Sequence, residues 1–492
     1  MVREKTIGFD RIMDGVKGSG YGIMAVLTAA LIWMAGPAAS VFGQQAGQEG
    51  ASEGGLAAWT STADIKFTAA VYISDGDHLP DKSTSTAVSG GTVGDNSASG
   101  IRITSKAESF NGLYVRGGKS AYTLSDSTIE LSGNGSNDFV GIGSGAMADG
   151  GATLVLKNVN ITTNGTIRSA TTSIDNSTLK VYDSTLIANG GPLPRDYKAK
   201  IGPGMMEAPA PLGIAGTARA CLTLNNSSSY FYNSTIIADG WGALSTDMAQ
   251  DHVYLEANNC DVQVRNSGYA TYADWSCKVV INNSRMKSGA YTGIIAGPGE
   301  LRLNDTEAVS GNNSVMMHSV MRDDPSEIGL LKIKGGKITA KNALLLVKST
   351  NADIDLEGVQ MISEKGLLLH SIINDDTMAT KLNGRKVTGI RATFSKMSVE
   401  GNILHEDRSR TMSVVLSGTM LKGSIKNAEL SLDSASKWTA TADSKVTLVG
   451  ISDVSCIDAP AGVTITASAG KGCSLKGTYK LSSGGALKMT AI

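Results

Sequence analysis

The stretch FYNSTIIADG, Phe231 to Gly240, runs directly into WGALST, Trp241 to Thr246. Apolar residues alternate on both sides of the Asn-Ser pair. Period two makes each arm a short strand with one buried face. Asn tolerates a left-handed backbone and forms Asx-turns, so the chain bends between the arms without reversing. A third short strand then begins at Trp241. The same line recurs as LSDSTIELSG from Leu124, LKNVNITTNG from Leu156, VYDSTLIANG from Val181 and VINNSRMKSG from Val280. The third-strand line recurs as YATYAD from Tyr269, TGIIAG from Thr292, SVMMHS from Ser314, ALLLVK from Ala343 and GLLLHS from Gly366. Spacing between these lines is about 22 to 29 residues, with no helical periodicity. Three short strands per period of that size predict a parallel β-helix, an all-β solenoid whose coils stack at ~4.8 Å. The lines lack the Leu-x-x-Leu-x-Leu pattern of leucine-rich repeats, and a propeller blade of ~40–45 residues is too long. A two-sheet sandwich built from hairpins is the runner-up architecture.

The composition agrees with coils of this kind. Only 18% of the 492 residues are charged, Gly occurs 58 times, and aromatics make up 5%. Narrow apolar columns need few aromatics, and tight corners need Gly, Asn, Asp and Ser. The formal net charge of -1 leaves no global basic field for nucleic acid. At 41% hydrophobic, the chain is too apolar to be a disordered one.

The first 43 residues read as an export signal. Arg3, Lys5, Arg11 and Lys17 form the positive start, an apolar run spans Gly22 to Ala35, and small residues follow from Gly36 to Ser40. The run is shorter than the ~20 residues a membrane span needs, and no second long run follows. The expectation is a chain with no membrane span after signal cleavage, placed in the periplasm, at the cell surface or in the medium. Residues 44–95 read as an N-terminal cap, residues 96–455 as the solenoid with a Pro-rich loop at 190–220, and residues 456–492 as last coils and C-terminal cap. The five cysteines leave two readings open. Either Cys260–Cys277 and Cys456–Cys473 close local disulfides with Cys221 left over, or the thiols are free and buried.

On the repeated STIEL line from Ser127, the STLIA line from Ser184 and the segment SKWTATADSKVTL from Ser436 to Leu448, the sequence resembles the exported right-handed parallel β-helix proteins of bacteria, pectate-lyase-like and adhesin-like. The resemblance implies one of two roles: surface proteins that bind or adhere, or enzymes that cleave or epimerise acidic polysaccharides. The lyases of that group use Ca²⁺ held by clustered Asp. No such cluster stands out here, since Asp323-Asp324 and Asp375-Asp376 are adjacent pairs that would alternate faces on a strand. No cofactor is expected.

Breaks in a regular solenoid are where function concentrates. The loop from Gly190 to Ala220 holds Pro192, Pro194, Pro203, Pro209 and Pro211, with Arg195, Asp196, Tyr197, Lys198 and Lys200 beside them. It reads as a shaped flap presenting cations to an anionic group, or as an ordinary insertion pinned by Met205, Met206 and Leu212. The following coils concentrate Trp241, His252, Tyr269, Tyr272, Asp274, Trp275 and Tyr291, with His318 further on. If those residues are exposed in register, Trp241, Tyr269, Trp275, Tyr291, Tyr197 and His252 would bind a ligand. In an enzyme, Arg195 or Lys198 would neutralise an anion while Tyr272 or His318 moves a proton and Asp274 orients it. His318 and His370 read as equivalent positions two coils apart. The leading expectation is a glycan or other extracellular ligand bound along the solenoid face, and the alternative is an exported lyase, hydrolase or isomerase with its groove near residues 190–320.

Overall fold

The computed structural model describes residues 62, 64–202, 204–247, 252–319, 327–373 and 389–490. The export signal, Pro203, Asp323-Asp324 and Asp375-Asp376 lie outside the described residues. The chain winds as a right-handed parallel β-helix. Through the body of the solenoid the coils contribute strands to three faces, and strands of successive coils pair in parallel. On the first face Thr178–Tyr182 pairs with Ser228–Tyr232, then with Tyr254–Asn258 and Lys278–Asn282. On the second face Thr185–Ala188 pairs with Thr235–Ala238, then Asp261–Val264. On the third face Arg219–Leu224 pairs with Trp241–Asp247, then Gly268–Ala273 and Tyr291–Ala296.

The core is built from columns of equivalent residues. Val181, Phe231, Ala257, Ile281 and Leu303 stack in register on the first face, all essentially without solvent contact. Leu186, Ile236, Val262 and Met286 do the same on the second. Every inward methyl group is covered from the coil above and the coil below. Interior coils therefore leave no strand edge open. At the C-terminal end Thr478–Lys480 turns back antiparallel on Ala486–Thr490, which blunts the last edge.

The corner between first and second faces explains the recurring Asn/Asp-Ser-Thr line. Asp183, Asn233, Asn259, Asn283 and Asp305 all sit at φ between 45° and 55°, the left-handed region that Asn and Asp tolerate best. The next residue carries a hydroxyl in four of the five, and a thiol at Cys260. Ser184 and Ser234 donate back to the carbonyls of Tyr182 and Tyr232 at 2.6 and 2.8 Å. Ser234 Oγ also accepts the Ser184 N–H of the preceding coil at 3.1 Å. The line is thus a turn, a ladder hydroxyl and a strand start in three residues.

That ladder also decides between the two readings of the cysteines. All five are free thiols. Cys260 occupies the ladder position, its Sγ bonded to the Asn258 carbonyl and its N–H to Ser284 Oγ. Cys277 is buried against Val253 at a different corner of the coil. Their spacing is shorter than one turn, so it carries them apart around the axis. Burial pushes the Cys260 thiol up to about 11 and Cys221 to about 12, so both behave as small apolar groups.

The coil length is uneven. Asn258 to Asn282 is 24 residues and Asn282 to Asn304 is 22. Asp183 to Asn233 is 50, because the Pro-rich loop intervenes. Trp438, from the SKWTATADSKVTL segment, is fully buried and donates Nε1–H to the Gly423 carbonyl at 2.8 Å.

Candidate functional site

The Pro-rich loop is a strap lying on the outside of the third face. Met205, Ala208, Leu212 and Ile214 of the strap form one buried cluster with Trp241, Tyr269, Tyr272, Tyr291, Ile294, Met316 and Leu346. The outward side chains of the third face are therefore mostly apolar here, and the strap covers them. Trp241 and Tyr269 are each 1% exposed, Tyr291 5% and Tyr272 8%. Tyr269 and Tyr272 lie with ring centroids 5.2 Å apart. Gly242 is required beneath them, because a Cβ there would stand 2.0 Å from the Tyr269 ring. The aromatic residues singled out in the sequence do gather in one place, as a covered second core and not as an open strip.

Arg219 is the electrostatic centre of this core. Its guanidinium meets Asp138 at 3.0 Å and Asp247 at 2.5 Å, with all three side chains at most 4% exposed. It also lies between the Phe139 ring at 5.0 Å and the Trp241 ring at 4.8 Å. Burial opposes the charge of Arg219, but the two aspartates outweigh it and hold the group above its ordinary pKa. Burial raises Asp138, with Arg219 pulling the other way. Neither Arg219 nor Asp138 was legible as a site residue, since neither sits on a recurring line. Their only signal was charge in a charge-poor stretch.

The remaining sequence candidates are dispersed. Arg195 and Lys198 are exposed on the strap. Tyr197 is half-buried, and its hydroxyl accepts the Met206 N–H at 3.0 Å, which shapes the strap from within. His252 is exposed at a left-handed corner, φ 56°. Asp274 and Trp275 are buried just past the strand Gly268–Ala273, with the Trp275 ring packed over Gly297. His318 is 3% exposed and pairs in register with Lys348, whereas His370 pairs with Leu346, so the two histidines are two residues out of register. Burial, then Lys348, lowers His318 to about 3.

His318 is therefore expected to stay neutral down to pH 4. The unfolded chain takes up that proton below about 6.5 while the folded chain does not, so stability falls as pH drops from 6.5 towards 3, by roughly 1.4 kcal/mol per pH unit. Denaturant unfolding at pH 7 and pH 4.5 should show this loss, and His318→Gln should reduce it. Titration of the His318 ring near 6.5 in an NMR experiment would refute the expectation.

An accessible aromatic group lies elsewhere, on the outer side of the first face. Tyr182, Tyr230, Tyr232 and Tyr254 are all partly exposed there. Tyr182 and Tyr232 are register partners and stack at 4.9 Å with planes 10° apart. Tyr230 and Tyr254 follow at 5.7 Å. Stacking on Tyr232 occupies one face of the Tyr182 ring. In the coil on the other side, Lys157 is the partner of Tyr182 and Val155 that of Lys180. An open depression of about 520 Å3 lies here, lined by Val155, Lys157, Asn158, Lys180, Tyr182 and Asp183. Its size suits a small ligand. Asn158 donates to Asp126 at 2.8 Å, and Asp183 accepts from Asn233 at 3.3 Å.

Tyr182 and Tyr232 stand on strand lines quoted above, but as outward residues of an alternating pattern. Such positions read as ordinary solvent-facing ones until the register of neighbouring coils aligns them. Among the described residues no three His, Cys, Asp or Glu side chains gather as a metal site. No helix of the described residues is long and apolar enough to cross a membrane. Compared with models of protein families, with curated proteins and with solved structures, the chain matches none.

Proposed function

We propose that this is an exported β-helix protein that binds a glycan, and that the ledge beside Tyr182 on the first face is where a sugar ring docks. The observation that carries the reading is the depression that Tyr182 lines together with Lys157 and Lys180, with Tyr232 stacked on its ring from the next coil. An aromatic face packs on the C–H face of a pyranose. The amide of Asn158, the carboxylate of Asp183 and the ammonium groups of Lys157 and Lys180 surround it as hydrogen-bonding partners for ring hydroxyls. Rigid coils hold these groups at the ~4.8 Å strand spacing, so little order is lost on binding.

Acid–base chemistry has less support. Tyr272, Asp274 and His318 are buried, whereas Arg195 is exposed on the strap. The test is affinity electrophoresis of the mature protein through a set of polysaccharides. Tyr182→Ala should weaken retention about tenfold, the equivalent of ~1.4 kcal/mol, with an unchanged melting temperature. Unaltered retention of the variant would overturn the ledge as the docking site.

A further inference from the structure

We propose that the ledge selects glycans bearing a compact tetrahedral anion, a phosphate or sulfate ester, over neutral or uronate chains. This rests on the glycan reading above and names the class of ring that the ledge prefers.

The argument begins with the two cations. Lys157 and Lys180 line the depression from adjacent coils, Lys157 as the register partner of Tyr182 and Lys180 two residues before it on the same strand. Neither makes an ion pair or a side-chain hydrogen bond among the described residues. Further along the same face several basic side chains are paired, although the exposed Lys332 and Lys334 are not, among the described residues. Lys278 lies 4.0 Å from Glu300, and Arg302 also bonds to Glu300. Arg391 meets Asp353 at 3.3 Å and Lys396 meets Glu357 at 2.9 Å. Lys157 and Lys180 combine two features: they line a depression, and they make no ion pair among the described residues.

Neither nearby carboxylate forms an ion pair with them. Asp183 lies on the rim and Asp126 two coils earlier, and each accepts from an asparagine amide. They are suited to accept hydroxyl protons of the ring. The kind of anion follows from the kind of cation. A planar carboxylate is best matched by the flat, two-pronged guanidinium of Arg, and no Arg lines the depression. Two ammonium groups are point charges with rotatable donors. They suit three or four oxygens around one centre, approached from two directions.

The test uses the whole mature protein and one backbone in several charge states: dextran, phosphorylated dextran and dextran sulfate, with polygalacturonate as the planar-carboxylate chain. Binding is followed by calorimetry at two salt concentrations. One or both ester-bearing dextrans should bind at least about tenfold tighter than dextran, with an advantage that shrinks as salt rises. The comparison of the two esters tells phosphate from sulfate. The K157Q/K180Q variant should bind all the chains as wild type binds dextran. A control variant, R195Q/K198Q on the strap, should keep the wild-type preference, which separates the ledge from the other exposed cations. Equal binding of dextran and its esters would overturn this inference and leave the glycan reading standing. The same holds if polygalacturonate equals the esters or if the preference survives K157Q/K180Q. Failure of wild type to bind any of the chains would overturn both.

Discussion

Arg219→Met is expected to destabilise the protein by about 3–5 kcal/mol at pH 7, because it leaves two buried carboxylates without their shared cation. Asp138 and Asp247 meet the same guanidinium, and each is almost fully buried. Methionine would fill much of the space between the Phe139 and Trp241 rings, so lost packing contributes little. The signature is therefore electrostatic. Asp138 is already raised by burial, even with Arg219 beside it. Without that cation its folded pKa rises further. A carboxyl with a raised folded pKa costs stability above that pKa and stops doing so once protonated, so the deficit of the variant should shrink as pH falls towards 4. Chemical unfolding of wild type and variant at pH 7 and pH 4.5 checks this. A deficit of the same size at both values would mean that packing, and not charge, is what Arg219 supplies.

Trp241→Ala should cost a similar amount, about 3–5 kcal/mol, and should leave glycan binding at the ledge unchanged once the protein is folded. Trp241 is 1% exposed and packs in the cluster beneath the strap. Its backbone stands at φ 61°, and its N–H donates to the carbonyls of Ala215 at 2.7 Å and Ser267 at 3.1 Å. It thus ties the end of the strap to two successive coils. A side chain that stacked on a ligand in solvent would behave in the opposite way, with neutral stability and lost binding. Thermal melts and affinity electrophoresis on the same preparation separate the two cases. A stable variant with abolished binding would return the site to the third face.

The contrast between Trp241 and Tyr182 shows where sequence reading stops. Both lie on repeated lines, and both are aromatic residues in a chain that has few. A cluster of Trp and Tyr within fifty residues looks like a binding strip when only its spacing is known. Whether such a strip is open depends on what an insertion does, and residues 190–220 carry their own apolar side chains down onto it. Met205 and Leu212 were legible as residues able to pin the loop. The extent of what they cover was not, because a flap and a cover have the same composition. Tyr182 and Tyr232 are fifty residues apart in the chain. Only the pairing of two coils across the long insertion makes them neighbours.

The sequence by itself determined the coil. Period-two alternation, left-handed corner residues and the ladder hydroxyl are local features, repeated until only a stacked solenoid satisfies them all. It also placed the long interruption and the unusual concentration of aromatic and charged residues after it. Tertiary structure decided which of those residues meet solvent. Arg219, Asp138 and Asp247 are drawn from three coils. The strap folds back over a face whose burial no local pattern encodes. The Tyr182 ledge exists because register sets Lys157 and Tyr232 on the two coils that flank Tyr182. Local conformation is set by neighbours in the chain, whereas exposure is set by neighbours in space.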